Sequence, residues 1–181
     1  TLAVNLPGTL NNQQGQIAAA NGVQLKAGAI DNTEGQIVAV AGKTQLDAGN
    51  LNNQQGLISA AGGDGEIRSQ QAINNSKGRI EAAKTQRINA AGVDNQRGVS
   101  VAGGATLALN GGQFDNQSGT LLSRGALDVN SATLNNQNGF LASEGNAQIT
   151  VGDIDNSAGQ IGANQQLAAT FDTLSNNGGA V

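Results

Sequence analysis

Two copies of one pattern follow each other in residues 10–39, LNNQQGQIAAANGVQLKAGAIDNTEGQIVA. Each copy begins with an apolar residue, continues through a polar residue to an asparagine, and reaches a glycine three positions later. The pattern occurs nine times in the 181 residues, at intervals of 20, 21 or 22 residues. A repeat of this length predicts a solenoid in which each copy forms one coil. The nine asparagines are Asn12, Asn32, Asn53, Asn75, Asn95, Asn116, Asn136, Asn156 and Asn176.

Apolar residues also recur two positions apart within each copy. In the first copy these are Ile17 and Ala19, and a later segment adds Val23 and Leu25. Alternation with a period of two indicates half-buried strands, and the recurring Asn and Gly interrupt every helical window. We therefore predict an all-β protein, a right-handed parallel β-helix of about nine coils of 20–22 residues with three short strands per coil. Residues 1–181 are expected to form a single β-helical repeat domain, a fragment of a much longer array.

The small differences in spacing predict where extra residues lie. One optional residue falls at the corner between the second and third strands, near Gly42, Gly62-Gly63 and Gly103-Gly104, since glycine-rich corners tolerate insertions. A second irregularity, between Ile67 and Ile73, predicts a bulge at residues 68–72.

The repeated asparagine and glycine are assigned structural roles. We predict that the nine asparagines face inward and form a hydrogen-bonded ladder along the axis. We attribute the glycine to a positive φ at the next bend. Phe114, which replaces the motif's leucine, and Phe171 are predicted to lie in the core.

One column of outward positions contains apolar residues. Leu57, Val99 and Phe140 lie four residues after their asparagines, where other copies have polar residues, and they are predicted to be exposed apolar spots. A one-residue shift that buries Val99 in place of Ser100 is an open alternative, because a shift of one exchanges the two faces of a strand.

The composition disfavours several classes of partner. The net charge is −4 and 12 % of residues are charged, which argues against nucleic acid. No run of eighteen apolar residues occurs, so membrane insertion is not expected.

Acidic residues before the asparagine, at Asp31, Asp94, Asp115 and Asp155, raise the possibility of a calcium site. Other copies have Asn or Ser at this position, and the glycine-rich pattern of calcium-binding repeats is absent, so a turn-capping role is favoured. We predict no metal site and no cofactor.

Catalysis on polysaccharides is the enzymatic alternative, since it requires carboxylates clustered near basic groups and often aromatic platforms. Asp94 and Asp115 occupy neighbouring copies near Arg97, and Asp153 lies two residues before Asp155, but Trp, Tyr and His are absent. Solvated surface charge is the favoured interpretation. We predict no catalytic residue and expect that the protein is not an enzyme.

Basic residues are concentrated in one segment. Six of the nine lie between positions 68 and 97. They form either a solvated face or a docking patch for an acidic partner. The six are Arg68, Lys77, Arg79, Lys84, Arg87 and Arg97.

The units at residues 10–19 and 30–39, followed by an alternating strand such as Val23-Gln24-Leu25, resemble the haemagglutinin repeats of filamentous haemagglutinin-like exoproteins. The resemblance covers essentially the whole chain. It implies a β-helical stalk of a large protein exported by two-partner secretion from a Gram-negative bacterium, such as an adhesin or a contact-dependent growth inhibition effector. The implied location is secreted or on the outer-membrane-associated cell surface.

The resemblance also implies partners. These are the neighbouring coils of the parent exoprotein, the outer-membrane two-partner-secretion transporter during export, and a receptor on a host or target cell. The leading hypothesis is a stalk segment that presents a distal functional domain. The alternative is an adhesive or receptor-binding module that acts through the basic face of residues 68–97.

Overall fold

The computed structural model describes residues 1–103 and 106–181, and of residues 106–111 it describes the backbone alone. Every strand pairing is parallel, and the strands form one 12-stranded and one 8-stranded sheet. Within the described residues there is no helix, and so none that could span a membrane. The all-β parallel solenoid predicted from the sequence is confirmed.

The 8-stranded sheet contains one four-residue strand from each of eight coils. Its strands are β2 (Gln16–Ala19), β4 (Gln36–Ala39), β6 (Leu57–Ala60), β9 (Arg79–Ala82), β12 (Val99–Ala102), β14 (Thr120–Ser123), β16 (Phe140–Ser143) and β18 (Gln160–Ala163). The 12-stranded sheet contains the remaining strands. They are β1 (Leu2–Asn11), β3 (Val23–Asp31), β5 (Thr44–Asn52), β7 (Gly65–Ser69), β8 (Ala72–Asn74), β10 (Gln86–Asn89), β11 (Gly92–Asp94), β13 (Thr106–Asp115), β15 (Ala126–Asn135), β17 (Ala147–Asp155), β19 (Leu167–Thr170) and β20 (Thr173–Ser175).

The predicted third strand and the following motif strand are continuous in six coils. In β5 the alternation of inward and outward residues fails once, because Ala48 and Leu51 both face inward with two outward residues between them. Two consecutive outward residues indicate a bend, so one long strand supplies two sides of the coil. Among the described residues the two parts are separate strands at β7 and β8, at β10 and β11, and at β19 and β20.

The core consists of columns of aliphatic side chains, each at the same position in successive coils. In the 8-stranded sheet, Ile37 is in register with Ile58 and then Ile80, and all three are at most 2 % exposed. The two sides of the coil that the long strands supply carry columns of leucine and isoleucine, which face this column and are also buried. Aliphatic burial of this kind contributes roughly 1.5–3 kcal/mol per side chain.

The two phenylalanines assigned to the core behave differently. Phe114 is 2 % exposed, which confirms its prediction. Phe171 is 41 % exposed, so its assignment was wrong. It lies in the same coil as Leu174, the motif leucine of the ninth copy, which is also exposed, at 38 %.

The register of the sheets locates the extra residues. Ala48 pairs with Ser69 at an offset of 21 (69 − 48), whereas Leu51 pairs with Ile73 at an offset of 22 (73 − 51). One extra residue therefore lies between Ser69 and Ile73, which confirms the bulge predicted at residues 68–72.

The corners after the 8-stranded sheet vary in length as predicted. Ala19 pairs with Ala39 at an offset of 20 (39 − 19), but Val23 pairs with Thr44 at an offset of 21 (44 − 23). The corner that contains Gly42 therefore has one more residue than the corresponding corner of the preceding coil. The corner with Gly62-Gly63 keeps this length, and the next corner is again shorter. Of the third predicted corner, Gly104 lies outside the described residues.

The strand β12 keeps the register of its neighbours. Ser100 pairs with Ile80 on one side and Leu121 on the other, and it is 4 % exposed. Val99 is half-buried on the outer side. The alternative in which Val99 replaces Ser100 in the core is therefore wrong, because the pairings of both neighbouring strands fix the register.

Candidate functional site

The nine motif asparagines form one continuous ladder inside the solenoid. Each side-chain Nδ2 donates to the Oδ1 of the asparagine in the next coil, and the eight bonds are 2.7 or 2.8 Å long. The asparagines from Asn12 to Asn156 are buried, at 7 % exposure or less. The predicted inward-facing asparagine ladder is confirmed.

Asn53 illustrates how completely each ladder residue is bonded. Its Nδ2 donates to Asn75 Oδ1 at 2.7 Å and lies within hydrogen-bond range of the carbonyl oxygens of Gly56 and Arg79, at 3.2 and 3.3 Å. Its Oδ1 accepts from Asn32 Nδ2 at 2.7 Å. Buried polar groups need such partners, because an unpaired one costs roughly 1–3 kcal/mol.

The motif glycine has a different role from the predicted one. Positive φ occurs at the residue before it, for example Gln55 at 55° and Lys77 at 57°, and the glycine that follows each of them has no positive φ. The turn closes with Gly56 N donating to Asn53 O at 3.0 Å. A positive φ at the third residue of a four-residue turn is typical of type II turns.

Glycine is required because successive coils approach closely at this corner. A Cβ on Gly56 would lie 2.2 Å from the carbonyl oxygen of Asn32 in the preceding coil, and one on Gly35 would lie 2.1 Å from that of Asn12. No side chain larger than hydrogen fits there without separating the coils. Our attribution of the glycine to positive φ was therefore wrong.

The residue before each of the first eight ladder asparagines caps the turn. The side chain of Asp94 accepts a hydrogen bond from Gln96 N at 3.0 Å, and that of Asp115 accepts one from Gln117 N at 3.0 Å. Asn52 makes the same bond to Gln54 N at 3.2 Å. Because Asp and Asn do this equally well, the position alternates between them without a change of structure.

Two carboxylates in this column have pKa values below the ordinary value. Burial raises the pKa of Asp31, but hydrogen bonds from Thr33 and Gln13 outweigh burial and lower it overall. The side chain of Gln137 is the main cause of the lowered pKa of Asp155, followed by hydrogen bonds from Ser157. Both carboxylates are therefore held in the ionised form, which suits a hydrogen-bond acceptor and not a general acid.

The candidate metal and catalytic positions do not converge on a site in the part of the chain that the structure describes. No group of three or more His, Cys, Asp or Glu residues that could hold a metal ion occurs among these residues. Asp94 and Asp115 are in register on neighbouring strands, as expected, and each is engaged as a turn cap. Asp153 accepts a hydrogen bond from Thr173 Oγ1 in the next coil.

The six basic residues are all exposed but do not share one side of the solenoid. Arg68 and Arg87 lie on the 12-stranded sheet, and Arg79 lies on the 8-stranded sheet. Lys77 and Arg97 occupy the same turn position in adjacent coils, and Lys84 lies at the following corner. Ion pairs with Glu66 and Glu81 partly neutralise Arg68 and Arg79, respectively.

The apolar residues of the outward column are exposed to different degrees. Phe140 is 40 % exposed, whereas Leu57 and Val99 are half-buried by their neighbours. All three lie on the outer face of the 8-stranded sheet.

Thr44 and Gln86 are among the buried polar residues that sequence reasoning missed. They occupy an inward column in which Val23 precedes Thr44 and Gly65 lies between the two. Gln86 is 1 % exposed and fills the space over Gly65, since a Cβ on Gly65 would lie 2.1 Å from Gln86 Oε1. A glycine in an inward column beside a large residue in the next coil was the available signal.

Comparison with known families agrees with this architecture. The family model described as haemagglutinin repeat matches residues 1–42, 35–85, 82–146 and 125–181, which together span the chain. No curated protein and no solved structure gave a match. Haemagglutinin repeats form a structural solenoid, and they are not a typical enzyme family. Because the matches run from the first residue to the last, the chain belongs to the haemagglutinin-repeat family.

Proposed function

We propose that the chain is a structural stalk segment of a bacterial filamentous haemagglutinin-like exoprotein and holds a distal functional domain away from the cell that makes it. The observation that supports this most is the asparagine ladder, which continues through all nine repeats. Secretion or cell-surface location is implied by the family. The parent protein is an adhesin or a contact-dependent inhibition effector of a Gram-negative bacterium, exported through a two-partner-secretion transporter.

The geometry suits a spacer because every coil adds the same length to the rod. Parallel strands in neighbouring coils are about 4.8 Å apart, so the eight intervals between nine asparagines give a rod of roughly 38 Å. Backbone hydrogen bonds between coils, such as Asn53 N to Asn74 O at 2.7 Å, run along the axis and resist extension. Each coil contacts mainly its neighbours, so coils can be added without redesign.

Deletion of whole coils in the parent exoprotein tests the stalk proposal. Removal of residues 117–136 joins Asn116 to Gln137 and preserves the repeat register, whereas removal of residues 117–126 does not. We expect the whole-coil deletion to shorten the protein by about 4.8 Å per coil and to keep the distal activity. Loss of that activity in a correctly folded whole-coil deletion would overturn the proposal.

The second candidate is an adhesive or receptor-binding module that uses the basic residues of segment 68–97. It is favoured by Lys77 and Arg97, which are exposed at the same corner of adjacent coils and take part in none of the three ion pairs found among the described residues. Two positive charges held one coil apart could bind an acidic partner.

A pull-down of target-cell surface components distinguishes the two candidates. The binding module predicts retention by the unmodified chain and loss in the variant Lys77→Ser/Arg97→Ser. The matched control is Lys26→Ser/Lys43→Ser, which removes two basic residues outside the segment. Absence of retention by the unmodified chain would exclude the binding module and leave the stalk proposal intact.

A further inference from the structure

The outer face of the 8-stranded sheet differs from the rest of the surface. Its strands have sixteen outward positions, two per strand, of which Ser59 is covered by its neighbours at 2 % exposure. The only charged residues at these positions are Arg79 and Glu81, which pair with each other. The other twenty of the chain's 22 charged residues (9 basic plus 13 acidic) lie elsewhere. Depletion of charge distinguishes the cores of protein interfaces from ordinary surface.

An apolar patch occupies the second half of this face. Val99, Thr120 and Phe140 are in register on neighbouring strands, and so are Val101, Leu122 and Ala142 beside them. Phe140 is 40 % exposed, and the other five are half-buried. A contiguous apolar patch on three coils is the kind of surface that marks a contact with another protein.

We propose that this face binds the same face of a second copy of the chain, so that two rods lie side by side with the same polarity. The inference goes beyond the stalk proposal and does not depend on it. A twofold axis parallel to the rod places each strand opposite the same strand of the second copy, running in the opposite direction. The first outward residue of the strand then faces the second outward residue of its counterpart.

Side-chain sizes fit this symmetry. In three strands a larger side chain at the first outward position precedes Ala or Gly at the second. These pairs are Gln16 with Ala18, Phe140 with Ala142, and Gln160 with Gly162. In these strands large residues therefore meet small ones across the axis, as close packing of two sheets requires.

Charge fits the same symmetry. The axis places Arg79 opposite Glu81 of the second copy, and Glu81 opposite its Arg79, so the only charges on the face meet opposite charges. A twofold axis along the strand direction would instead bring two copies of the same column together and oppose large side chains with large ones. The rod-parallel axis also leaves both stalks pointing in one direction.

The contact is small for this length of chain. Strands of four residues are about 13 Å wide, and eight of them spaced at about 4.8 Å extend roughly 34 Å, which gives a footprint of roughly 440 Å² per copy. A stable complex buries about 800 Å² per partner, so we expect a weak dimer for 181 residues and a stronger one for longer arrays.

Sedimentation equilibrium from about 1 µM to about 1 mM tests the proposal. We expect the weight-average mass to rise from 18.0 kDa towards twice that value. Leu122→Asp should weaken the dimer at least tenfold without unfolding the chain, because Glu81 already occupies the same column. The control Asn130→Asp, on an exposed position of β15, should dimerise normally.

Charge reversal tests the symmetry. Arg79→Glu alone should weaken the dimer, and the double variant Arg79→Glu/Glu81→Arg should restore it. A monomer at every concentration would overturn the proposal. Association that Leu122→Asp leaves unchanged would overturn it as well, and would indicate pairing through the open ends of the sheets instead.

Discussion

Replacing Asn53 with aspartate tests the ladder without changing the shape of the side chain. The atom that now donates, Nδ2, lies 2.7 Å from Asn75 Oδ1, 3.2 Å from Gly56 O and 3.3 Å from Arg79 O. A carboxylate oxygen at that place would face three oxygen acceptors and no donor. The variant Asn53→Asp therefore either keeps a repelled buried charge or takes up a proton.

The size of the effect follows from these contacts. Asn75 Oδ1 loses its donor, which costs roughly 1–3 kcal/mol in a buried site, and the desolvated carboxylate adds a penalty at neutral pH. We expect a total loss of about 3–5 kcal/mol in the free energy of unfolding at pH 7. Burial among acceptors raises the pKa of the introduced carboxyl group above its unfolded value of about 3.9.

The raised pKa fixes the sign of the pH dependence. Between the unfolded and folded pKa values the folded state holds more protons than the unfolded state, so stability decreases as the pH rises. The protonated form can donate to Asn75 Oδ1 as asparagine does. The deficit of Asn53→Asp should therefore be smallest near pH 4 and should grow by up to about 1.4 kcal/mol per pH unit above it.

Urea unfolding followed by circular dichroism at pH 4 and pH 7 measures both quantities. The matched control is Asn52→Asp, at the adjacent half-buried position where other coils have aspartate. We expect the control to lose less than about 1 kcal/mol, from its proximity to Asp31. If Asn53→Asp is no more destabilising than Asn52→Asp at pH 7, or if its deficit does not shrink at pH 4, the buried ladder is refuted.

Three further predictions concern the same corner. Gly56→Ala should cost about 3 kcal/mol or more in unfolding free energy, since its Cβ would lie 2.2 Å from a carbonyl oxygen of the preceding coil; an unchanged melting temperature would contradict this. Ala158→Gly, at a φ of 55°, should raise the free energy of unfolding in urea by about 1 kcal/mol, because alanine is strained at a positive φ and glycine is not. Asn138→Gly should raise it less, because asparagine tolerates this conformation; equal gains would contradict the attribution to backbone strain. Asp155, whose pKa is lowered in the folded state, stabilises the chain above its unfolded pKa of about 3.9 and ceases to do so as the pH falls through the folded value. Melting temperatures measured from pH 7 down to about pH 2.5 should therefore fall less steeply for Asp155→Asn than for the unmodified chain, and identical slopes would contradict the role of this carboxylate.

The ladder could be predicted from the sequence because one residue type recurs once in every coil. An asparagine such as Asn95 must then lie beside Asn75 and Asn116, whatever the details of the turns, and its amide has both a donor and an acceptor for them. The bulge after Ser69 was predictable for the same reason, because a change of interval in a strict repeat has to be accommodated locally.

The role of the glycine could not be predicted, because it depends on contacts between coils. Residues with positive φ include Gln14, Glu34, Arg97 and Ala158, which have no side-chain property in common. Their conformation is imposed by the turn and the stacking around it, so residue type gave no signal. The glycine was conspicuous in the sequence, but its function is to admit a carbonyl oxygen from the preceding coil.

The basic segment shows how a linear cluster is dispersed by a solenoid. Residues 68–97 cover about one and a half repeats, so the chain passes through both sheets and their corners within that distance. Only residues a whole repeat apart, such as Lys77 and Arg97, are brought to the same place. A cluster of charges in a repeat protein is therefore found by comparing the same position in successive repeats, and not by looking for charged residues close together in the sequence.

Distances between paired spin labels along one column test the central claim, that each repeat is one coil of a stacked solenoid. Gln24, Asp128 and Gln148 occupy the same outward column. Asp128 lies five coil intervals from Gln24, and Gln148 lies six intervals from it. Double electron–electron resonance on Gln24→Cys/Asp128→Cys and Gln24→Cys/Gln148→Cys, diluted with unlabelled chain, should give narrow distributions near 24 Å and 29 Å, from a spacing of about 4.8 Å per coil. Broad distributions, or distances that do not increase by about 4.8 Å with the additional coil, would contradict the stacked solenoid.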